Sequence, residues 1–385
     1  GRWRDARRAD PRPSDRVAAT LGIALGVCFV LCFLTGLVSH LVQHPSSWFA
    51  WRPRPAGLYR WSQGVHVATG IATVPLLFGK LWSVFPRVFQ WPLATSVTHA
   101  LERLSILPLV GGSLFMLVTG VANIELWYPW VFFFPAAHFA VSFVLMGSLL
   151  IHLAAKSAIA RRALRRSADD DAGEHPGPDR ADATSDRRRF LGATAALSAG
   201  LVAVTAGQTV WPLRKLALLA PRRPDIGTQG FPVNKTAREA GVADGVQDPG
   251  YTLRVDDGDR TARTFTLDEL RAMPMHTATL PIACVEGWSA NRRWTGVAVR
   301  DVLAASELTD GALSRRSVSV ESLQRGGRYR RSTLTASLAA DDDTLLALFV
   351  DGAPLHPDHG YPLRLIAPNR PGVLQTKWVA KLVVR

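Results

Sequence analysis

Four runs of the sequence, at about 17–38, 64–85, 104–122 and 135–155, are apolar over the roughly 20 residues that cross a bilayer. This feature constrains the first half most, because backbone groups in lipid must be satisfied within their own segment, which leaves the helix as the spanning form. Pro75 and Pro108 fall inside the runs, where spans tolerate proline better than soluble helices do. The formal net charge of +14 would by itself suit a nucleic-acid partner. Its distribution points to a membrane instead. Six arginines precede residue 17, three basic residues lie from Lys80 to Arg103, and nine lie from Lys156 to Arg189. The two opposite loops carry three (Arg52, Arg54 and Arg60) and none. The positive-inside rule then places the basic arm 1–16 and the linker 156–189 in the cytoplasm, with membrane lipid as a partner and no nucleic acid.

A polar, acidic stretch at 167–186 separates the two halves, and "SDRRRFLGATAALSAGLVAVTAG" follows it. Residues 190–210 are expected to form a fifth, anchoring span. Arg187, Arg188, Phe190 and Leu191 resemble a twin-arginine export signal, with Asp186 standing where Ser or Thr usually precedes the arginines. A plain membrane anchor remains the alternative. Both deliver residues 211–385 to the extracytoplasmic side of a bacterial cytoplasmic membrane.

Ionisable or ligating side chains within spans are functional candidates. His66 and His138 lie near the outer ends of the second and fourth runs, and His99 and His152 near the inner ends of the third and fourth. His138 and His152 are 14 residues apart, about 21 Å along a helix and within roughly 40° of one face. Two stacked haems, each held by histidines of facing helices, would need that arrangement. A histidine at a span end is also often a plain interfacial residue, as expected for His40 and His44. Residues 17–155 resemble the haem b membrane subunits of bacterial cytochrome b type, which implies one or two haems b and exchange with quinone.

From residue 231 the chain changes to short β-branched runs such as "YTLRV", "TATLPIAC", "LLALFV" and "KWVAKLVV", bounded by Gly, Pro and Asp. "LDELRAM" and "AVRDVLAAS" have the period of short helices. A soluble α+β domain is expected. Its one cysteine, Cys284, stands in "PIACVEGWSANRRWTG" with no partner for a disulfide or for a CxxC metal site. Two chemistries remain open for it. It could be a nucleophile with His356 or His359 as base, or a single thiolate on a soft metal.

"LPIACVEGWSANRRWTGVAVRDVLAAS" and the later "LFVDGAPLHPDHGYPLRLIAPNRPGVLQTKWVAKLVV" resemble the two signatures of the sulfite-oxidase-like molybdopterin domain. The resemblance covers about 231–385. It implies molybdopterin as cofactor, with Cys284 the catalytic thiolate ligand to molybdenum. Cofactor-binding donors would come from Asn234, Lys235, Arg292, Arg293, His359, Arg364, Arg370 and Lys377. Neither the immunoglobulin-like dimerisation domain nor the sulfite-binding arginine cluster of sulfite oxidases is expected from these residues.

The expected whole is a membrane all-α bundle of four spans plus a fifth, followed by a soluble α+β domain. Its expected function is oxygen-atom transfer on a small-molecule substrate outside the cytoplasm, exchanging electrons with quinone. Reduction of S- or N-oxides is favoured over sulfite oxidation. The rival expectations are a haem scaffold whose molybdopterin fold has degenerated, and a cysteine hydrolase. The chain begins at Gly1 rather than methionine, so an earlier N-terminus is also expected.

Overall fold

The computed structural model describes residues 15–44, 48–49, 51–88, 96–165, 179–206, 211–220, 222–308 and 316–385. The arm at 1–14 and the linker segment 166–178 lie outside the described residues. The chain divides into two compact units, Gly1–Leu37 with Val65–Gly207, and Val38–Gly64 with Gln208–Arg385.

Among the described residues the first half has five long helices: α1 (Asp15–Gln43), α2 (Leu58–Val88), α3 (Val97–Ile124), α4 (Phe134–Arg165) and α5 (Asp179–Thr205). Four of them have segments long and apolar enough to cross a membrane, Arg16–Gln43, Leu58–Val84, Arg103–Ile124 and Phe134–Ala158. Each overruns its sequence-expected limits. A helix propagates by backbone hydrogen bonds and does not stop where the apolar run stops, so the polar turn "LYRWSQ" joins α2. Leu25, Phe29, Leu77, Leu145 and Leu149 interlock α1, α2 and α4. Pro108 is accommodated within α3. Of the helix expected over 190–210, the part to Thr205 is present in α5, and 207–210 lie outside the described residues; α5 is not among the four membrane-length segments, since Asp186 and Arg187 to Arg189 stand directly ahead of its apolar run.

The second unit is α+β, as its runs predict. One five-stranded sheet has the order β2 (Arg260–Thr266), β1 (Thr252–Asp257), β10 (Val379–Val384), β5 (Val318–Ser322), β6 (Arg331–Leu334). In it β1 and β10 run parallel, Arg254 opposite Lys381, so the first and last strands of the domain are paired. Buried Asp256 receives both Lys381 Nζ at 2.6 Å and Arg254 Nη2 at 2.8 Å, which fixes that pair. The other sheet has the order β3 (His276–Ala283), β4 (Ser289–Ala298), β7 (Leu345–Val350), β8 (Ala353–Pro354), with β9 (Arg364–Ile366) also paired to β7.

Short helices α6 (Leu267–Ala272) and α7 (Val299–Ala305) follow β2 and β4, and α8 (Ala336–Ala339) follows β6. Thr266 and Glu269 form a reciprocal capping box at the start of α6. Leu253, Val255, Val297, Val302, Leu346 and Leu382 sit in one core. Phe231, Ile282, Trp288, Trp294, Leu345 and Ile366 sit in a second core, around the end of the β3–β4 hairpin.

Candidate functional site

The hairpin β3–β4 pairs through to Ala283 opposite Ser289, and Cys284 is the first residue past that pair. The turn is closed by Cys284 N–H donating to Trp288 O at 2.9 Å and by Gly287 N–H donating to Cys284 O at 3.1 Å. Cys284 is therefore held at a rigid strand end. Its Sγ accepts from Asn234 Nδ2 at 2.9 Å and from the backbone N–H of Glu286. Both donors favour a thiolate. Burial nevertheless pushes the Cys284 thiol well up, and the Glu286 carboxylate adds to that. A bound metal is the ordinary means of deprotonating such a thiol. Glu286 is tied down in turn by Arg222 at 3.1 Å and Trp288 Nε1 at 3.2 Å.

Around the second core lies a group of cations. Arg364 is buried, donates Nη1 to His359 O at 2.9 Å and stands over the Trp294 ring, while its Nε has no partner. Arg370 is buried with Nε and Nη1 unpartnered. Lys377 Nζ donates to Lys235 O at 2.5 Å and Asp358 O at 2.8 Å. Among the described residues none of these three cations has a carboxylate partner. Burial brings Arg364 and Arg370 down to about 9 and Lys377 to about 7, the last aided by Arg364. Buried, unpaired charges of one sign are costly, and guanidinium donors left open suit an anionic, multi-oxygen group.

The other expected residues divide. His359 stacks on Phe231 with ring centres 3.7 Å apart and hydrogen-bonds through Nε2 to Thr228 O at 2.6 Å. Burial, then Arg364, lowers it to about 3, so it is neutral. Arg292 lies over the other part of this aromatic shelf and bonds to Gly230 O. Arg293, one residue on, is exposed and is not brought to the group. His356 Nδ1 accepts from Asp358 N–H at 3.1 Å. The donors to Cys284 Sγ are thus an amide and a backbone N–H, with no imidazole among them, which removes the base that the hydrolase reading needs.

In the helical unit His66 and His138 face each other, ring centres 6.4 Å apart. His66 Nδ1 contacts Cys32 O at 2.9 Å and Thr35 Oγ1 at 3.1 Å, and His138 Nδ1 contacts Thr119 Oγ1 at 3.3 Å. Among the described residues neither Nε2 makes a hydrogen bond. His152 lies on α4 as expected; His99 is in the first turn of α3, and its side chain lies outside the described residues.

The sequence did not point to Asn369, Tyr59 or Gln63, which adjoin Cys284 and Arg370. Asn369 has φ 54°, and an asparagine ahead of "RPG" is the signal for such a left-handed turn. Tyr59 and Gln63 carry no local signal.

Residues 240–385 match the family model described as oxidoreductase molybdopterin binding domain. The chain is 27% identical over 155 residues to mitochondrial sulfite oxidase of Drosophila melanogaster, covering 35% of this chain and 27% of that protein. It is 30% identical over 167 residues to a protein of Azospira oryzae named putative protein-methionine-sulfoxide reductase subunit YedZ1, covering 43% of this chain and 61% of that one. With NADH nitrate reductase 2 of Phaseolus vulgaris the identity is 37% over 97 residues, 24% of this chain and 11% of that enzyme. The sulfane dehydrogenase SoxCD of Paracoccus pantotrophus aligns with a TM-score of 0.31 at 22% identity, covering 35% of this chain and 38% of that one. The chain spans less than two thirds of the length of each of these relatives. Its C-terminal half holds a molybdopterin-binding oxidoreductase domain of the sulfite oxidase kind, preceded by membrane-length helices.

Proposed function

We propose that the chain is a membrane-anchored molybdenum oxidoreductase that carries out oxygen-atom transfer outside the cytoplasm, in the direction of reducing S- or N-oxide substrates. The observation that carries the reading is one rigidly held thiol, Cys284, in a domain with two buried arginines, Arg364 and Arg370, whose guanidinium nitrogens are left unpartnered, and a half-buried Lys377 bonded only to backbone carbonyls. These residues fit a molybdopterin. Cys284 would ligate the metal, while Arg364, Arg370 and Lys377 would receive the anionic pterin phosphate, with Asn234, Arg292 and His359 as further contacts. When bound, the group supplies two-electron oxygen-atom exchange. The chain's own part is to hold the sulfur with two N–H donors, to neutralise the anion, and to keep water from the thiol by burial. The relation to a protein named as a methionine-sulfoxide reductase subunit supports the reductive direction.

Haem b between His66 and His138 completes the proposal. With metal–imidazole bonds of about 2 Å, two rings sharing one iron stand roughly 6 Å apart, centre to centre. The observed 6.4 Å agrees, and the Nδ1 contacts orient both Nε2 atoms for ligation. Electrons would enter from quinol through this haem. The fifth span is supported by α5 packing on α2, with Ser198 Oγ donating to Ala72 O at 3.1 Å and Ala206 clustered with Val67 and Ile71. The extracytoplasmic placement of the domain is supported by its unit including the loop between α1 and α2, which the charge asymmetry puts outside.

The test is molybdenum per chain in detergent-purified protein from a host that makes the cofactor. About one per chain in the wild type, lost in Cys284→Ala, is the expected result. A metal-free wild type overturns the proposal.

A further inference from the structure

The segment between α1 and α2 reaches the residues on either side of Cys284. Tyr59 is 1% exposed and packs in one cluster with Val42 and Ala283, the residue before Cys284. Its hydroxyl bonds to Ser39 Oγ at 2.9 Å and reaches Gln63 Oε1 at 3.5 Å. Gln63 Nε2 donates to the carbonyl of Val285, the residue after Cys284, at 3.2 Å. Arg60 Nη1 donates to Asn291 Oδ1 at 3.1 Å on β4.

The same segment is fastened to the turn that carries Arg370. Asn369 donates Nδ2 to Arg52 O at 2.8 Å and its N–H to Ala56 O at 3.0 Å, and its Oδ1 accepts the N–H of Tyr59 at 2.6 Å. Two residues later Pro371 bridges back to Ala283. Arg370 therefore sits between a residue tied to this segment and a residue paired with the strand that ends just before Cys284.

We propose that Tyr59 and Gln63 are positioning residues of the Cys284 loop, supplied by the helical half of the chain, so that the molybdopterin domain is complete only with residues 52–63 in place. The proposal rests on the molybdenum reading for its chemical consequence. Gln63 fixes the Val285–Glu286 peptide, whose N–H donates to Sγ, Tyr59 packs against Ala283, and the direction of Sγ is set by both. Asn234 then donates to a sulfur that does not swing.

Hydrogen exchange of the amides at 284–288, followed by mass spectrometry on the full detergent-solubilised chain, reads the loop with or without metal. Gln63→Leu removes the bond to Val285 O and the longer one from the Tyr59 hydroxyl, and is expected to speed exchange there about 5- to 10-fold. Arg54→Ala, which breaks the pairs of an exposed guanidinium with Asp341 and Asp343, is expected to leave it within about twofold. In molybdenum-loaded protein, Gln63→Leu is also expected to shift the g-values of the paramagnetic molybdenum signal at unchanged metal content. If Gln63→Leu does not accumulate, Tyr59→Phe, which removes the hydroxyl bonded to Ser39 and Gln63, gives the same readouts. Unchanged exchange in both variants, equal acceleration in Arg54→Ala, or unchanged g-values in loaded protein overturns the positioning role. A metal-free wild type overturns the proposed function instead, and the exchange result still decides the role of the segment.

Discussion

At the scale of single residues, the thiol of Cys284 is governed by opposing terms. Burial and Glu286 oppose the thiolate, while Asn234 and the Glu286 N–H favour it, and burial wins in the cofactor-free protein. Asn234 then matters most when a metal has made the sulfur anionic. Removing a donor to a metal ligand costs about 10–100-fold in metal affinity or activity, so Asn234→Ala is expected to lower molybdenum occupancy or turnover by that factor. Asn234→Asp keeps the shape but puts a carboxylate against the sulfur, and is expected to be worse than Ala. Metal content and turnover of the two variants check this. An Asp variant better than the Ala variant would mean that Asn234 serves only to fill space.

Among the elements, the turn after the short helix Pro357–His359 decides how closely the cations gather. Gly360 has φ 112°, and a Cβ there would stand 3.1 Å from Arg364 Cβ and 3.2 Å from Lys377 Cβ. Both neighbours are held at the backbone and cannot rotate away. Gly360→Ala is expected to destabilise the domain by about 2–3 kcal/mol and to lose molybdopterin, measured as a lower unfolding midpoint with reduced pterin fluorescence after extraction. The strands bearing β-branched runs, such as β3, β7 and β10, were legible in the sequence because alternation and turn residues bound them. Strand β4 was not, since the adjacent Arg292 and Arg293 interrupt its apolar pattern; the structure turns one toward Phe231 and the other to solvent. Cys284 and the cations of the second signature were legible as motif positions. Tyr59 was not legible as a site residue. Its place beside Ala283 depends on a contact more than 200 positions away in sequence, which no local pattern encodes.

For the whole molecule, the buried cations make the cofactor-free domain sensitive to pH in a direction that can be worked out. Lys377 ordinarily releases its proton at 10.5, and burial, then Arg364, brings the folded value to about 7. Between these values the unfolded chain holds more protons than the folded one, so stability rises with pH across that window. Below about 7 both states are protonated and the full cost of desolvating the half-buried ammonium is present. Arg364 and Arg370, lowered to about 9, stay charged at neutral pH and add the same slope only above that value. An anionic cofactor reverses the sign of their surroundings and returns Lys377 towards its ordinary value, which flattens the dependence. The unfolding midpoint of metal-free protein, such as Cys284→Ala purified without pterin, is therefore expected to rise from pH 7 to pH 9. That of the loaded wild type is expected to change little over the same range. A flat profile in the cofactor-free protein would show that water or a carboxylate already compensates Lys377, and the case for an anion at this cluster would then rest on Arg364 and Arg370 alone.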